Sequence, residues 1–307
     1  MGKELRFRQD GTFKIVQFTD VHMADGSEKD FRTMEGMTRI LDMEKPDLVV
    51  FTGDMTYGEE NEKLLRMALK PVNEAGIPWA AVFGNHDAEL GSGKEALLKV
   101  MQESSLCLTE AGEPEVSGVG NYCLMVKGYE SDKPSWIMYF LDSGDYNKNK
   151  AVEGYDYIKR DQIEWYMRKS REFSSRYGKL PALSFFHIPL QEYKVVWDYK
   201  TCYGMKNEEV CCSQQNSGMF SAMLEMGDVK GVFVGHDHIN DYWGELFGIK
   251  LVYGRATGHN TYGADGFTHG ARVIILKENS EDFDTWIRLE DGNKIVNPVE
   301  HRPEKRS

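Results

Sequence analysis

Five short apolar runs, each ending in Asp, Asn or His, constrain this chain more than any other feature. Phe13–Thr19, "FKIVQFT", runs into Asp20-Val21-His22. Asp47–Thr52, "DLVVFT", enters Gly53-Asp54, and Pro78–Phe83, "PWAAVF", enters Gly84-Asn85-His86-Asp87. Ala182–His187, "ALSFFH", ends in its own histidine, and Val229–Val234 leads into Gly235-His236-Asp237-His238. Runs this short and this continuously apolar read as strands buried on both faces. His236 and His238 at i and i+2 share one side of such a strand end, where imidazoles need a partner.

Between these runs lie helical spacings over Asp30–Lys45, which stops before Pro46, and over Glu59–Ala75, Lys94–Gln102 and Tyr157–Arg176. Asn121–Lys127 and Ser135–Leu141 read as hairpin strands, and Ile249–Tyr253, Arg272–Leu276 and Asp284–Leu289 as later strands. Gln191–Ser217 is polar and reads as an irregular surface excursion, and residues from about 290 to 307 as a charged tail. There is no linker, repeat or low-complexity tract. Strand–helix alternation followed by strands predicts one α/β domain over 1–307 with a two-sheet core.

In α/β sheets the ligand site lies beyond the carboxyl ends of the strands. The five runs therefore deliver Asp20, His22, Asp54, Asn85, His187, His236 and His238 to one edge. Oxygen and imidazole ligands without thiolate suit Mn, Fe or Zn. Seven ligands exceed the needs of one small ion and fit two, with Asp54 as the shared carboxylate. Two ions about 3.5–4 Å apart form a clamp for in-line displacement at phosphorus by a bridging hydroxide. Gly53, Gly84 and Gly235 precede ligands where the backbone must come close.

The 37 basic and 49 acidic residues give a net charge of −12. That argues against nucleic-acid binding through a basic surface, and makes metal charge the natural attraction for an anionic substrate. No apolar run is long enough to span a membrane, and the first residues lack a signal-peptide core. Compartment stays open between cytoplasm and export, and oligomeric state is open. None of the five cysteines forms a C-x-x-C pair. Cys107 and Cys123 read as core residues, and a disulfide among Cys202, Cys211 and Cys212 depends on the compartment.

D-x-H, G-D, G-N-H-D, H and G-H-x-H, in this order over residues 13–240, resemble the calcineurin-like metallophosphoesterase superfamily. "FFHIPLQEY", "NSGMF", "GHDHIND", "YGRATG" and "GARVIIL" look like its purple-acid-phosphatase-related branch, the plant purple acid phosphatase 29 type. The resemblance implies a four-layer αββα sandwich of two mixed β-sheets flanked by helices. It implies one metal held by Asp20, His22, Asp54 and His238, and another by Asp54, Asn85, His187 and His236. His86 would face the substrate phosphate and aid the leaving oxygen, with Asp87 orienting it. True purple acid phosphatases have glycine at the position of His22 and use the tyrosine of G-D-x-x-Y; here Tyr57 keeps that spacing beside His22 and is expected to be a spectator.

The expected activity is a dimetal phosphoric-ester hydrolase acting on a small-molecule phosphomonoester. A phosphodiesterase or nucleotidase shares the ligand set, and a non-catalytic metal-binding scaffold is the third reading. Arg255 suits either a phosphate oxygen or an internal salt bridge, and His259 either lines the site or caps a loop. His301 reads as tail surface, and Trp165, Tyr166 and Phe173 as core. Tyr155, Trp197, Tyr199 and Tyr203 lie in loop-like segments that either pack or shape a pocket.

Overall fold

The computed structural model describes residues 4–303. The chain order opens with β1 (Thr12–Phe18), α1 (Glu28–Glu44), β2 (Leu48–Thr52), α2 (Asn61–Glu74), β3 (Trp79–Val82) and α3 (Lys94–Met101). It continues with β4 (Tyr122–Lys127), β5 (Pro134–Phe140), α4 (Arg160–Tyr177), β6 (Ala182–Phe185), α5 (Glu192–Tyr199) and β7 (Cys202–Tyr203). Then come α6 (Met219–Met226), β8 (Val229–Val234), β9 (Trp243–Leu246), β10 (Ile249–Tyr253), β11 (Gly270–Lys277), β12 (Phe283–Leu289), β13 (Lys294–Ile295) and β14 (Glu300–His301).

The strands form two mixed sheets, ordered β13-β12-β11-β1-β2-β3 and β14-β7-β9-β10-β8-β6-β5-β4. Within the first, β1, β2 and β3 are parallel, and within the second, β5, β6, β8 and β10 are parallel. Strand alternation explains why these runs carry apolar residues at every position. Ile15, Val50 and Val82 face Met138, Phe185 and Phe233 of the other sheet in a shared core. Their neighbours Val16, Phe51 and Ala81 pack under α1, α2 and α3. On the far side, Ile137, Tyr139 and Val232 pack under α4, α5 and α6. The result is the expected helix–sheet–sheet–helix layering.

A buried amide ties the sheets together at the functional edge. Gln17 of β1 donates from Nε2 to Thr52 Oγ1 at 2.8 Å and to the carbonyl of Val234 in β8 at 3.1 Å. This registers the ends of β1, β2 and β8 against one another.

Two expectations need correction. Gln191–Ser217 is not only a surface excursion: it holds α5 and β7 and buries Tyr193, Val196 and Cys202. Its polarity misled because α5 shows one apolar face inward and its charges outward. His301 is not loose tail surface either. It belongs to β14, its ring stacks on Trp197 at 3.8 Å, and its Nε2 lies 3.0 Å from the Trp197 carbonyl oxygen. Trp165, Tyr166 and Phe173 are in the core as expected. All five cysteines are free thiols. No helix among the described residues is long and apolar enough to cross a membrane.

Candidate metal centre

The carboxyl ends of β1, β2, β3, β6 and β8 meet at one edge of the sandwich. Two sets of potential ligands form there, Asp20, His22, Asp54 and His238 in one, and Asp54, His187 and His236 in the other. Within each set the ligand atoms lie within 4.8 Å of one another, and Asp54 belongs to both. Asp54 Oδ2 is 3.1 Å from His187 Nε2 and 3.4 Å from His22 Nε2. His238 Nε2 lies 3.6 Å from Asp20 Oδ1, and His236 Nδ1 lies 3.2 Å from His187 Nε2. All six side chains are buried.

The backbone is bent to bring them this close. Asp20, His22, Asp54 and His236 have φ of 52°, 48°, 50° and 79°, the left-handed region that side-chain-bearing residues avoid. Hydrogen bonds within the cluster hold these conformations. His22 N–H donates to the Asp54 carbonyl at 2.9 Å, and His236 N–H to the Asp20 carboxylate at 3.1 Å. Two glycines allow the approach. A Cβ at Gly84 would stand 2.1 Å from Asp54 Oδ1, and one at Gly235 would stand 1.9 Å from Thr19 Oγ1.

The donor chemistry fits cations. His22 Nε2, Asp54 Oδ2 and Asn85 Oδ1 are buried without a hydrogen-bond partner. Buried polar atoms rarely go unpaired, so three such atoms at the ligand cluster point to a shared partner. His187 Nδ1 lies 2.7 Å from the Thr52 carbonyl, to which it donates, and this turns Nε2 toward Asp54. Burial opposes charge on Asp54, yet His187 and His22 hold its carboxyl well below the usual range. Burial and the neighbouring His187 push His236 well below an ordinary imidazole, and burial with His22 does the same to His238. His236 and His238 are thus neutral as metal ligands must be, whereas, against burial, Asp54 raises His22, and raises His187 to about 9, so those two rings must release their protons when a cation binds.

Asn85, 2 % exposed, places its amide Nδ2 3.5 Å from the Tyr146 hydroxyl. The N–H of His86 donates to Asp54 Oδ1 at 2.8 Å, and its ring lies 5.3 Å from that of His22. Asp87 does not orient that ring. Its carboxylate accepts from the backbone N–H groups of Asp54, Met55, Thr56 and Gly84 at 2.8–3.0 Å. Glu89, missed in the sequence, bonds His86 Nδ1 instead. It lies three residues after His86 in a turn closed by Glu89 N–H to the His86 carbonyl, which no sequence pattern marks.

Two further candidates lie elsewhere. Arg255 is 1 % exposed; its guanidinium pairs with Asp241, donates to the Thr268 carbonyl at 2.8 Å and covers the Phe267 ring. It is an internal salt bridge and not a phosphate contact, because it is buried and its charge is already matched by Asp241. His259 Nε2 pairs with Glu290 at 2.7 Å and its ring packs against His269, so it fastens a loop and does not line the centre. Tyr57 stands beside His86 at 4.7 Å between ring centroids. Tyr155 packs edge-on to His236 at 4.2 Å, whereas Trp197 packs against Tyr242 and Tyr203 stacks on Trp243, away from the ligands.

A two-sheet α/β protein with residues arranged to bind two metal ions at its strand ends is the class that this fold and site define. The model of the calcineurin-like phosphoesterase family matches residues 13–240, and the chain belongs to that family. It is 35 % identical to "Probable inactive purple acid phosphatase 29" of Arabidopsis thaliana, over 96 % of this chain and 86 % of that protein. It is 32 % identical to "Phosphatase DCR2" of Saccharomyces cerevisiae over 96 % of this chain, which spans 56 % of that longer protein. Among solved structures it resembles a dimetal phosphatase from Danio rerio with a TM-score of 0.63 at 14 % identity, covering 94 % of this chain and 99 % of that one.

Proposed function

We propose that this chain is a dimetal phosphomonoesterase acting on a small-molecule phosphate ester. The observation that carries the reading is the pair of buried ligand sets sharing Asp54, with unpartnered atoms of His22, Asp54 and Asn85 among them. Asp20, His22, Asp54 and His238 would hold one ion, and Asp54, Asn85, His187 and His236 the other. Oxygen and imidazole donors without thiolate suit Mn, Fe or Zn. When bound, such a pair of ions supplies the positive charge that a phosphate needs and a hydroxide nucleophile at neutral pH.

The chain's own groups do the rest. Asp54 sits between the two ligand sets, and its backbone is fixed by Asp87. Asn85 Nδ2 hydrogen-bonds a phosphate oxygen. His86 gives a proton to the leaving oxygen through Nε2, the ring nitrogen that Glu89 leaves free. The phosphatase names of the more similar relatives support a monoester over a diester. The word "inactive" in the Arabidopsis name is said of that protein; here every ligand position and His86 are filled.

The test is turnover of 4-nitrophenyl phosphate against bis(4-nitrophenyl) phosphate, each with added Mn, Fe or Zn. Faster hydrolysis of the monoester is expected. Faster hydrolysis of the diester would make the chain a phosphodiesterase, and turnover of neither would make it a scaffold.

A further inference from the structure

The mouth of the metal centre is walled by tyrosines. The Tyr57 ring lies 4.7 Å from His86 and 5.9 Å from His22. The Tyr146 hydroxyl meets Asn85 at 3.5 Å, and its ring lies nearly parallel to Tyr155 at 5.7 Å. Tyr155 stands edge-on to His236 at 4.2 Å, and Tyr262 lies 4.2 Å from His238. Four tyrosines from three separate loops thus contact His22, Asn85, His86, His236 and His238. Tyr57, Tyr146 and Tyr262 are 44 %, 43 % and 52 % exposed, so much of each ring stays open to solvent.

The segments that carry these rings are held in place. Tyr57 N–H donates to the Met23 carbonyl at 2.9 Å. Tyr146 and Tyr155 face each other across a β-bridge, flanked by Asn147 N–H to the Gly154 carbonyl and Asp156 N–H to the Asp145 carbonyl at 2.9 and 3.0 Å. The Tyr262 hydroxyl donates to Glu208 at 2.6 Å. Fixed, half-exposed aromatic faces around a site bind planar groups at little entropic cost.

We propose that this rim grips an aryl group, and that the preferred substrates are phosphate esters with an aromatic ring directly on the ester oxygen. The inference rests on the phosphoesterase reading. The rim rings stand only 4.2–5.9 Å from the ligand and His86 imidazoles. A ring bonded to the ester oxygen lies among them, whereas a nucleobase held off by a ribose lies beyond.

The test is calorimetric binding of phenylphosphonate and cyclohexylphosphonate, matched in size and differing in planarity, to the metal-loaded protein. Phenylphosphonate should bind about three- to tenfold more tightly. Tyr146→Ala and Tyr262→Ala should erase that difference, and Tyr146→Phe, which keeps the ring, should preserve it. Equal binding of the two phosphonates by the unaltered protein, or equal weakening of both in the alanine variants, would overturn the rim. In a turnover panel of phenyl phosphate, adenosine 5′-monophosphate and glycerol 2-phosphate, KM should be lowest for phenyl phosphate; a lower KM for the nucleotide would also overturn it. Turnover without aryl preference sinks the rim alone, and aryl-selective binding without turnover of any ester sinks the phosphoesterase reading alone.

Discussion

Glu89 and not Asp87 holds His86. The Glu89 carboxylate bonds His86 Nδ1, while the main-chain N–H of His86 is bound by Asp54 Oδ1 at 2.8 Å. Ring and backbone are thus fixed by different carboxylates. Glu89→Gln should lower kcat by about tenfold for an alkyl phosphate, whose leaving oxygen needs a proton. For 4-nitrophenyl phosphate, which leaves readily, the loss should be much smaller. Equal loss on both substrates would show that Glu89 does something other than place the imidazole.

Asp87 has a structural task. Its buried carboxylate takes four backbone N–H groups around Asp54 and Gly84. Asp87→Asn turns one acceptor oxygen into a donor facing those N–H groups, at a cost of about 2–4 kcal/mol. A lower melting temperature, with or without added metal, is expected; an unchanged one would contradict the assignment.

Gly84→Ala separates crowding from conformation, since Gly84 is not at positive φ and only the new methyl group matters. That methyl would stand 2.1 Å from Asp54 Oδ1 and 2.5 Å from the Asp54 main-chain nitrogen, so both the shared carboxylate and its backbone must shift. The variant should lose about 3 kcal/mol or more of stability and bind fewer metal ions. Full metal content would mean that the Asp54 position is not so restricted.

Away from the centre, Glu44 joins α1 to β1 and β12. Burial disfavours its charge, but Arg288 at 2.6 Å, Lys14 at 3.1 Å and Trp286 at 3.2 Å outweigh that and hold its carboxyl below the usual value. A carboxyl lowered by folding contributes stability above the unfolded-state pKa, and loses it as pH falls through the folded-state value. Glu44→Gln should therefore destabilise the protein at pH 7 and matter less near pH 4, as read by denaturation midpoints. A gap that stays constant between the two pH values would contradict this.

The strand-ending motifs carried most of the site in plain view. Asp20, His22, Asp54, His187, His236 and His238 could be read because each follows a buried apolar run, and buried imidazoles and carboxylates need partners. The two-sheet core was expected from strand–helix alternation followed by strands, and the four-layer order from the family resemblance. Other features had no such signal. The left-handed backbone of Asp20, His22, Asp54 and His236 is visible only where the chain is bent, since no glycine marks it. Glu89 sat among ordinary surface acids. Tyr146 and Tyr262 lie in loops whose spacing follows no period. Arg255 suggested phosphate by its chemistry, and only the proximity of Asp241, 14 residues earlier, shows where its charge is balanced.

The central claim is that two ions sit on the shared Asp54 and carry hydrolysis. The direct measurement is metal content by plasma mass spectrometry on protein purified without chelator, with 4-nitrophenyl phosphate turnover on the same sample and on Asp54→Asn. The account predicts two metal ions per chain, and both metal content and turnover falling in the variant. No more than one ion per chain, with no turnover after Mn, Fe or Zn is added, would contradict it.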